Sequence, residues 1–202
     1  MYHTSLIIQE NFYSNPLEVR QYALSQEFSV RGNYPGLRTK PCIAAGVKES
    51  IEDIVKAHAG KITWFGTGDG KEGDYTGSFQ LTYAKDRTWI HNDGNCSWAG
   101  VLYLTPDAPV SGGTGLFKHK RTGWIQVPRK SDGTQDIDLL NNTIEGWEYQ
   151  DYTKWDLHDK IGNKFNRLVM YRGDYFHASL DYFGDNPQNG RLFQVFFFNT
   201  EY

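Results

Sequence analysis

The sequence predicts a mainly β protein, a sandwich of sheets whose outer face is covered by helices near the N-terminus. Three observations carry that reading. Aromatic residues make up 15% of the chain, glycine contributes 21 residues and charged residues only 22%, a balance suited to pleated sheets and turns rather than to a helical bundle. After about residue 75 the apolar period becomes two. Several of those later segments are apolar on both faces, as strands covered on both sides must be. A chain of 202 residues can bury a sizeable core in one domain, so a single domain over 1–202 is expected.

Two helices are predicted first. In "SNPLEVRQYALSQEF", Asn15 is placed as N-cap, Pro16 at the first helical position and Glu18 three residues past the cap, with Leu17, Leu24 and Phe28 on one face. In "ESIEDIVKAHAG", Ser50 caps, Asp53 closes the box, Ile51, Ile54 and Val55 form the buried stripe and Gly60 ends the helix. His58 falls on that stripe and is expected to be a packed histidine.

The strands follow. "GSFQLTYAK" alternates, with Phe79, Leu81 and Tyr83 on one face, and "WAGVLYLTP", "NRLVMYRGDYFHASL" and "RLFQVFFFN" are apolar and rich in β-branched or aromatic residues. Between them, "PRKSDGTQDIDLLNNTIEGWEYQDYTKWDLHDKIG" is polar and too long for a hairpin turn, which predicts a lid or substrate loop, or a segment with short helices of its own.

A formal net charge of −3 supplies no broad cationic surface for nucleic acid. The one short basic run, Lys118-His119-Lys120-Arg121, is expected to be a solvated loop. Cys42 and Cys96 lack CxxC spacing, the opening "MYHTSLIIQE" lacks a signal-like apolar stretch, and no apolar run is long enough to span a bilayer. A cytoplasmic protein with two reduced thiols and no membrane partner is expected.

The stretch "TWIHNDGNCSWAG" places His91 and Asp93 two residues apart, on one face if the strand persists. An imidazole and a carboxylate there are two-thirds of a facial triad for a divalent ion. The pair would serve equally as a strand end with Asp93-Gly94 in a turn. Among the other histidines, His3 is terminal, His58 lies on a helix, His119 in a basic turn and His158 in the long excursion. His177 follows an apolar strand that could bring it to the same end of the sandwich. Arg191 alternates with Phe193, Val195 and Phe197, so its guanidinium either meets an acidic ligand inside the barrel or reaches water from an edge.

Taken together, His91-x-Asp93, "GVLYLTPDAPVSGGTGLF", "NRLVMYRGDYFHAS" and Arg191 in the next strand resemble the Fe(II)- and 2-oxoglutarate-dependent dioxygenases, particularly their prolyl hydroxylase-like branch. Order and spacing are similar over residues 79 to 199. The resemblance implies a double-stranded β-helix, a cupin-like jelly roll, with supporting helices and strands in 1–75 and a core over 76–199 carrying an insertion at about 125–162. It implies His91, Asp93 and His177 as iron ligands. Arg191 and Tyr103 would bind the distal carboxylate of 2-oxoglutarate, and Tyr83 would also touch the co-substrate.

The sequence departs from that pattern in its 14-residue gap from His177 to Arg191, in Thr105 where the family has an asparagine, and in the enlarged insertion. The implied activity is hydroxylation of an unactivated C–H bond with O2, converting 2-oxoglutarate to succinate, on a prolyl or other amino acid residue, peptidyl or free. Trp89, Trp98, Trp124 and Phe176 would be core or would keep the site dry. Two other classes fit the residues: a cupin-like isomerase or hydrolase using zinc or manganese, and a noncatalytic β-sandwich binding module.

Overall fold

A computed structural model of the protein describes residues 4–67 and 74–201. His3 lies outside them. Among the described residues, ten strands form two facing antiparallel sheets. The larger contains β1 (Leu6–Gln9), β2 (Leu37–Arg38), β3 (Lys61–Phe65), β4 (Phe79–Thr82), β5 (Trp98–Tyr103), β8 (Leu168–Arg172) and β10 (Arg191–Glu201), and the smaller contains β6 (Thr114–His119), β7 (Trp155–Ile161) and β9 (His177–Ser179). Strand order is β1-β8-β5-β10-β4-β2, with β3 also on β10, and β7-β6-β9. This is the jelly roll that the resemblance implies.

The eleven-residue β10 binds the large sheet together: residues 191–194 pair with β4, 193–198 with β5 and 198–201 with β3. Strand parity then sorts the side chains. Phe79, Leu81, Trp98, Leu102, Leu192 and Phe196 face outward into a core shared with the helices. Tyr103, Val101, Val169, Tyr171, Phe193 and Val195 face inward, between the sheets.

The helices cover the outer face, with corrections to the expected boundaries. Helix α1 (Pro16–Ser25) ends before Phe28, and Leu17 is 64% exposed. Its buried face is Arg20 and Ala23 instead. Arg20 accounts for this choice of face, because its guanidinium donates to the Leu104 carbonyl at 2.8 Å and the Gln188 carbonyl at 2.7 Å. Asn15 precedes the helix as expected, but its amide donates to Glu18 Oε2 rather than its oxygen capping the backbone.

Helix α2 (Val47–Ala59) begins earlier than expected, at Gly46 with φ +84°, so Ser50 lies inside it and donates to the Gly46 carbonyl. Val47, Ile51, Val55 and Ala59 form the buried stripe, spaced by four. That spacing leaves Ile54 half-buried and His58 exposed on the flank, so His58 is not a packed histidine.

The excursion after residue 125 is not a free loop. It contains α3 (Ile137–Thr143), two 3-10 turns at Gly146–Tyr149 and Tyr152–Lys154, and then β7, a full member of the smaller sheet. Leu140, Ile144 and Trp155 pack on Phe117, Phe176 and Ala178 to form a third apolar cluster. The basic run is also corrected, since His119 ends β6 fully buried. Its Nε2 lies 3.1 Å from Glu148 Oε2, while Arg121 donates to Glu148 Oε1 at 3.0 Å. Cys42 and Cys96 are free thiols. Among the described residues, no helix is long and apolar enough to cross a membrane.

Burial by itself would raise the Glu148 carboxyl, but the Glu145 amide, His119 and Arg121 outweigh it and hold the group below its ordinary value. Its contribution is therefore present above that ordinary value of 4.5 and is lost as pH falls through the lower folded value. Glu148→Ala is expected to cost ~2 kcal/mol in urea unfolding near neutral pH, because His119 and Arg121 lose their acceptor. The difference from wild type should narrow as pH is lowered through that folded value.

Candidate metal centre

His91 and Asp93 lie on a short extended segment that ends in a turn, and only His91 forms a β-bridge. That bridge is to His177, the first residue of β9. The His91 amide donates to the His177 carbonyl at 2.9 Å and the His177 amide returns a bond of 2.8 Å. Two residues on, the Asp93 amide donates to the Gly173 carbonyl at 2.6 Å. A Cβ on Gly173 would stand 2.4 Å from the Cys96 carbonyl oxygen and 2.8 Å from that of Asp93, so the close approach needs glycine.

The three side chains converge. One ligand atom from each of His91, Asp93 and His177 falls within 4.8 Å of the others, and the two imidazole centroids are 4.3 Å apart. His91 Nδ1 lies 3.1 Å from the Trp89 carbonyl and His177 Nδ1 2.8 Å from that of Tyr175. A carbonyl can only accept, so each Nδ1 carries a proton and each Nε2 is the ring nitrogen turned toward the cluster. His177 Nε2 is 3.3 Å from Asp93 Oδ2. At that separation a proton or a cation between the nitrogen and the carboxylate oxygen would join them.

Electrostatics prepare the donors for an ion. Burial, followed by the nearby His177, pushes His91 down to about 4, so it is neutral at physiological pH. For Asp93, burial acts upward but His177, His91 and Arg38 outweigh it, and the carboxyl sits below its ordinary value. Neutral nitrogen and ionised oxygen are the forms a metal binds. Two imidazoles and one carboxylate suit Fe(II), Mn(II) or Zn(II) and leave other coordination positions open. The chemistry of the donor set thus fits the iron that the resemblance implies.

On the same parity of β10 as the cavity-lining Phe193 and Val195, Arg191 is 1% exposed. Its Nε donates to the Gly112 carbonyl at 2.8 Å and its Nη2 to the Gly113 carbonyl at 3.2 Å, while Nη1 is buried with no partner. Gly113 permits this seat, since a Cβ there would meet the Ile161 carbonyl at 1.8 Å. Tyr103 is fully buried nearby, its ring centroid 5.5 Å from Arg191 Cζ and its hydroxyl 2.7 Å from that of Thr114. The sequence expectation of an arginine among apolar side chains is met by Phe193, whose ring centroid is 4.4 Å from the guanidinium carbon.

Tyr83 is not brought to this cavity. Thr82 is the register partner of Arg191, so Tyr83 has the opposite parity and packs with the outer core. Trp98 also faces outward, stacked on Phe198, and Phe176 sits in the third cluster with Trp124 against it. Trp89 does line the cavity.

One cavity residue was missed in the sequence. Arg38 of β2 is buried, its guanidinium carbon lies 3.8 Å from the Tyr34 ring centroid, and its Nε donates to Gln80 at 2.8 Å. The available signal was Gln80 itself, a polar residue on the inner parity of a strand buried on both faces.

The fold is a jelly roll shared with solved structures of low sequence identity. HygX from Streptomyces hygroscopicus, solved with nickel and 2-oxoglutarate bound, superposes with a TM-score of 0.58 at 8% identity, covering 98% of this chain and 84% of that one. A Trichoplax adhaerens prolyl hydroxylase in complex with a hypoxia inducible factor oxygen degradation domain peptide fragment gives 0.53 at 13% identity, with 96% and 83% covered. Residues 2–198 match the family described as "Family of unknown function (DUF6445)", and the chain belongs to that family. No curated protein matches it in sequence.

Calorimetric titration with Mn(II) should give one site per chain, and His91→Ala, Asp93→Ala or His177→Ala should each weaken it by more than ~100-fold. Gly173→Ala, which touches no ligand side chain, should weaken it by about 10-fold by displacing the Asp93 backbone.

Proposed function

We propose that this protein is an Fe(II)- and 2-oxoglutarate-dependent oxygenase that hydroxylates an unactivated C–H bond of a prolyl or other amino acid residue. His91, Asp93 and His177 would hold the iron. Arg191, with Tyr103, would receive the far carboxylate of 2-oxoglutarate. The observation that carries this reading is a buried guanidinium on the inward-facing parity of β10, with one nitrogen left without an acceptor, in the same sandwich as a His-Asp-His cluster. Such a group is costly unless an anion meets it, and a carboxylate matches its planar fork.

Bound iron would supply the redox chemistry, in which O2 and 2-oxoglutarate give succinate, CO2 and one oxygen atom inserted into the substrate C–H bond. The protein's own residues hold and orient. The Trp89 and Tyr175 carbonyls fix the two imidazole rings in one tautomer, and Arg38 helps keep Asp93 ionised. Inward-facing Phe193, Val195 and Phe197 exclude water from the cavity wall.

Beside His91, a cleft of about 500 Å³ is lined by Trp89 and Tyr149 and by the amides of Asn92, Asn141 and Gln150. Aromatic and amide side chains suit an uncharged amide-bearing substrate, which supports an amino acid residue within a peptide. Free Cys42 and Cys96 are consistent with a cytoplasmic setting.

The test is succinate formation and O2 uptake by the purified protein with Fe(II) and 2-oxoglutarate. Asp93→Ala should abolish both, and Arg191→Leu should raise the KM for 2-oxoglutarate by ~100-fold while leaving Mn(II) affinity intact. Turnover supported by zinc under nitrogen would instead make the protein a metal isomerase or hydrolase.

A further inference from the structure

Two buried polar atoms on neighbouring side chains have no hydrogen-bond partner within the protein: Arg191 Nη1 and the Tyr182 hydroxyl. Tyr182 lines the metal cavity, and its ring centroid lies 5.9 Å from Arg191 Cζ. Both atoms can donate. A carboxylate offers acceptors for both donors together with the negative charge that matches the guanidinium. Tyr103, already assigned to the same carboxylate, differs in that its hydroxyl also has Thr114 as a partner.

We propose that Tyr182 is a further positioning residue for the far carboxylate of the 2-oxo acid, completing with Arg191 and Tyr103 a seat selective for a dicarboxylic co-substrate. The inference rests on the oxygenase reading and adds to it a residue outside the resemblance. It also gives a purpose to the 14 residues from His177 to Arg191, a longer gap than the family pattern has. The added segment is held at several points. Arg20 donates to the Gln188 carbonyl, Asn189 Oδ1 accepts from the Asp185 and Asn186 amides, and the Phe183 ring closes on Gly112, whose carbonyl seats Arg191. Tyr182 is therefore carried on anchored backbone, as a positioning residue must be.

Tyr182→Phe removes only the hydroxyl. In calorimetry on the Mn(II)-loaded protein, 2-oxoglutarate should bind ~10-fold more weakly to the variant, the loss expected for one hydrogen bond to a carboxylate. Affinity for 2-oxobutyrate, which lacks the far carboxylate, should not change, and neither should Mn(II) affinity or the ligand-free Tm. Equal affinity of wild type and variant for 2-oxoglutarate, within twofold, would overturn the assignment. So would an equal loss for both acids, or a fall in Tm without a change in selectivity, either of which marks a purely structural tyrosine. If the wild-type protein does not bind 2-oxoglutarate at all, the oxygenase reading itself fails and the role of Tyr182 falls with it.

Discussion

The reciprocal backbone pair between His91 and His177 is the constraint on which the site depends. It ties a segment outside the regular strands to the first residue of β9. Without that pair, nothing in the local sequence would hold two imidazoles from opposite parts of the chain at 4.3 Å between centroids. Their direction is set by the same kind of interaction, a ring nitrogen donating to the carbonyl two residues earlier along the chain in each case. The repeated pattern means that tautomer and orientation are decided by backbone already fixed in the fold, so little reorganisation remains when an ion binds.

Charge in the cavity is arranged to the same end. Asp93 is held ionised beside a neutral His91, Arg38 of β2 lines the same cavity, and Arg191 lies on the inward-facing parity of β10. A buried guanidinium carries a desolvation penalty that only good partners offset. Arg38 meets it with Gln80 and two aromatic rings, whereas Arg191 meets it partly with the Gly112 and Gly113 carbonyls. The remaining donor capacity is a reserve that an anionic ligand would use. The thiol of Cys96, bonded to the Asp93 carbonyl, is pushed up by burial and by the Asp93 charge, so it stays protonated beside the site.

Much of this was legible from residues alone, and the reasons for the failures are physical. Period-two alternation located the strands and predicted that Arg191 shares a face with Phe193, Val195 and Phe197. The face on which Phe79, Leu81 and Tyr83 lie was also read correctly, but sequence period does not say which face is inner when both are buried. Register supplies that fact by setting Thr82 opposite Arg191, which removes Tyr83 from the cavity. Helix α1 was misread because a buried arginine, bonded to two carbonyls, replaced the leucine stripe that amphipathic reasoning assumes. Tyr182 was beyond reach, since it sits in a loop without periodicity, and Arg38, in a two-residue strand, was signalled only through Gln80 on its neighbour.

A crystal structure of the protein grown with Mn(II) and 2-oxoglutarate in the absence of iron tests the central claim most directly. The account predicts one anomalous peak in contact with Nε2 of His91, Nε2 of His177 and the carboxylate of Asp93, with the co-acid reaching inward to the Arg191 guanidinium. A peak elsewhere, a His177 ring turned away from the other two groups, or a 2-oxoglutarate that leaves Arg191 untouched would contradict it.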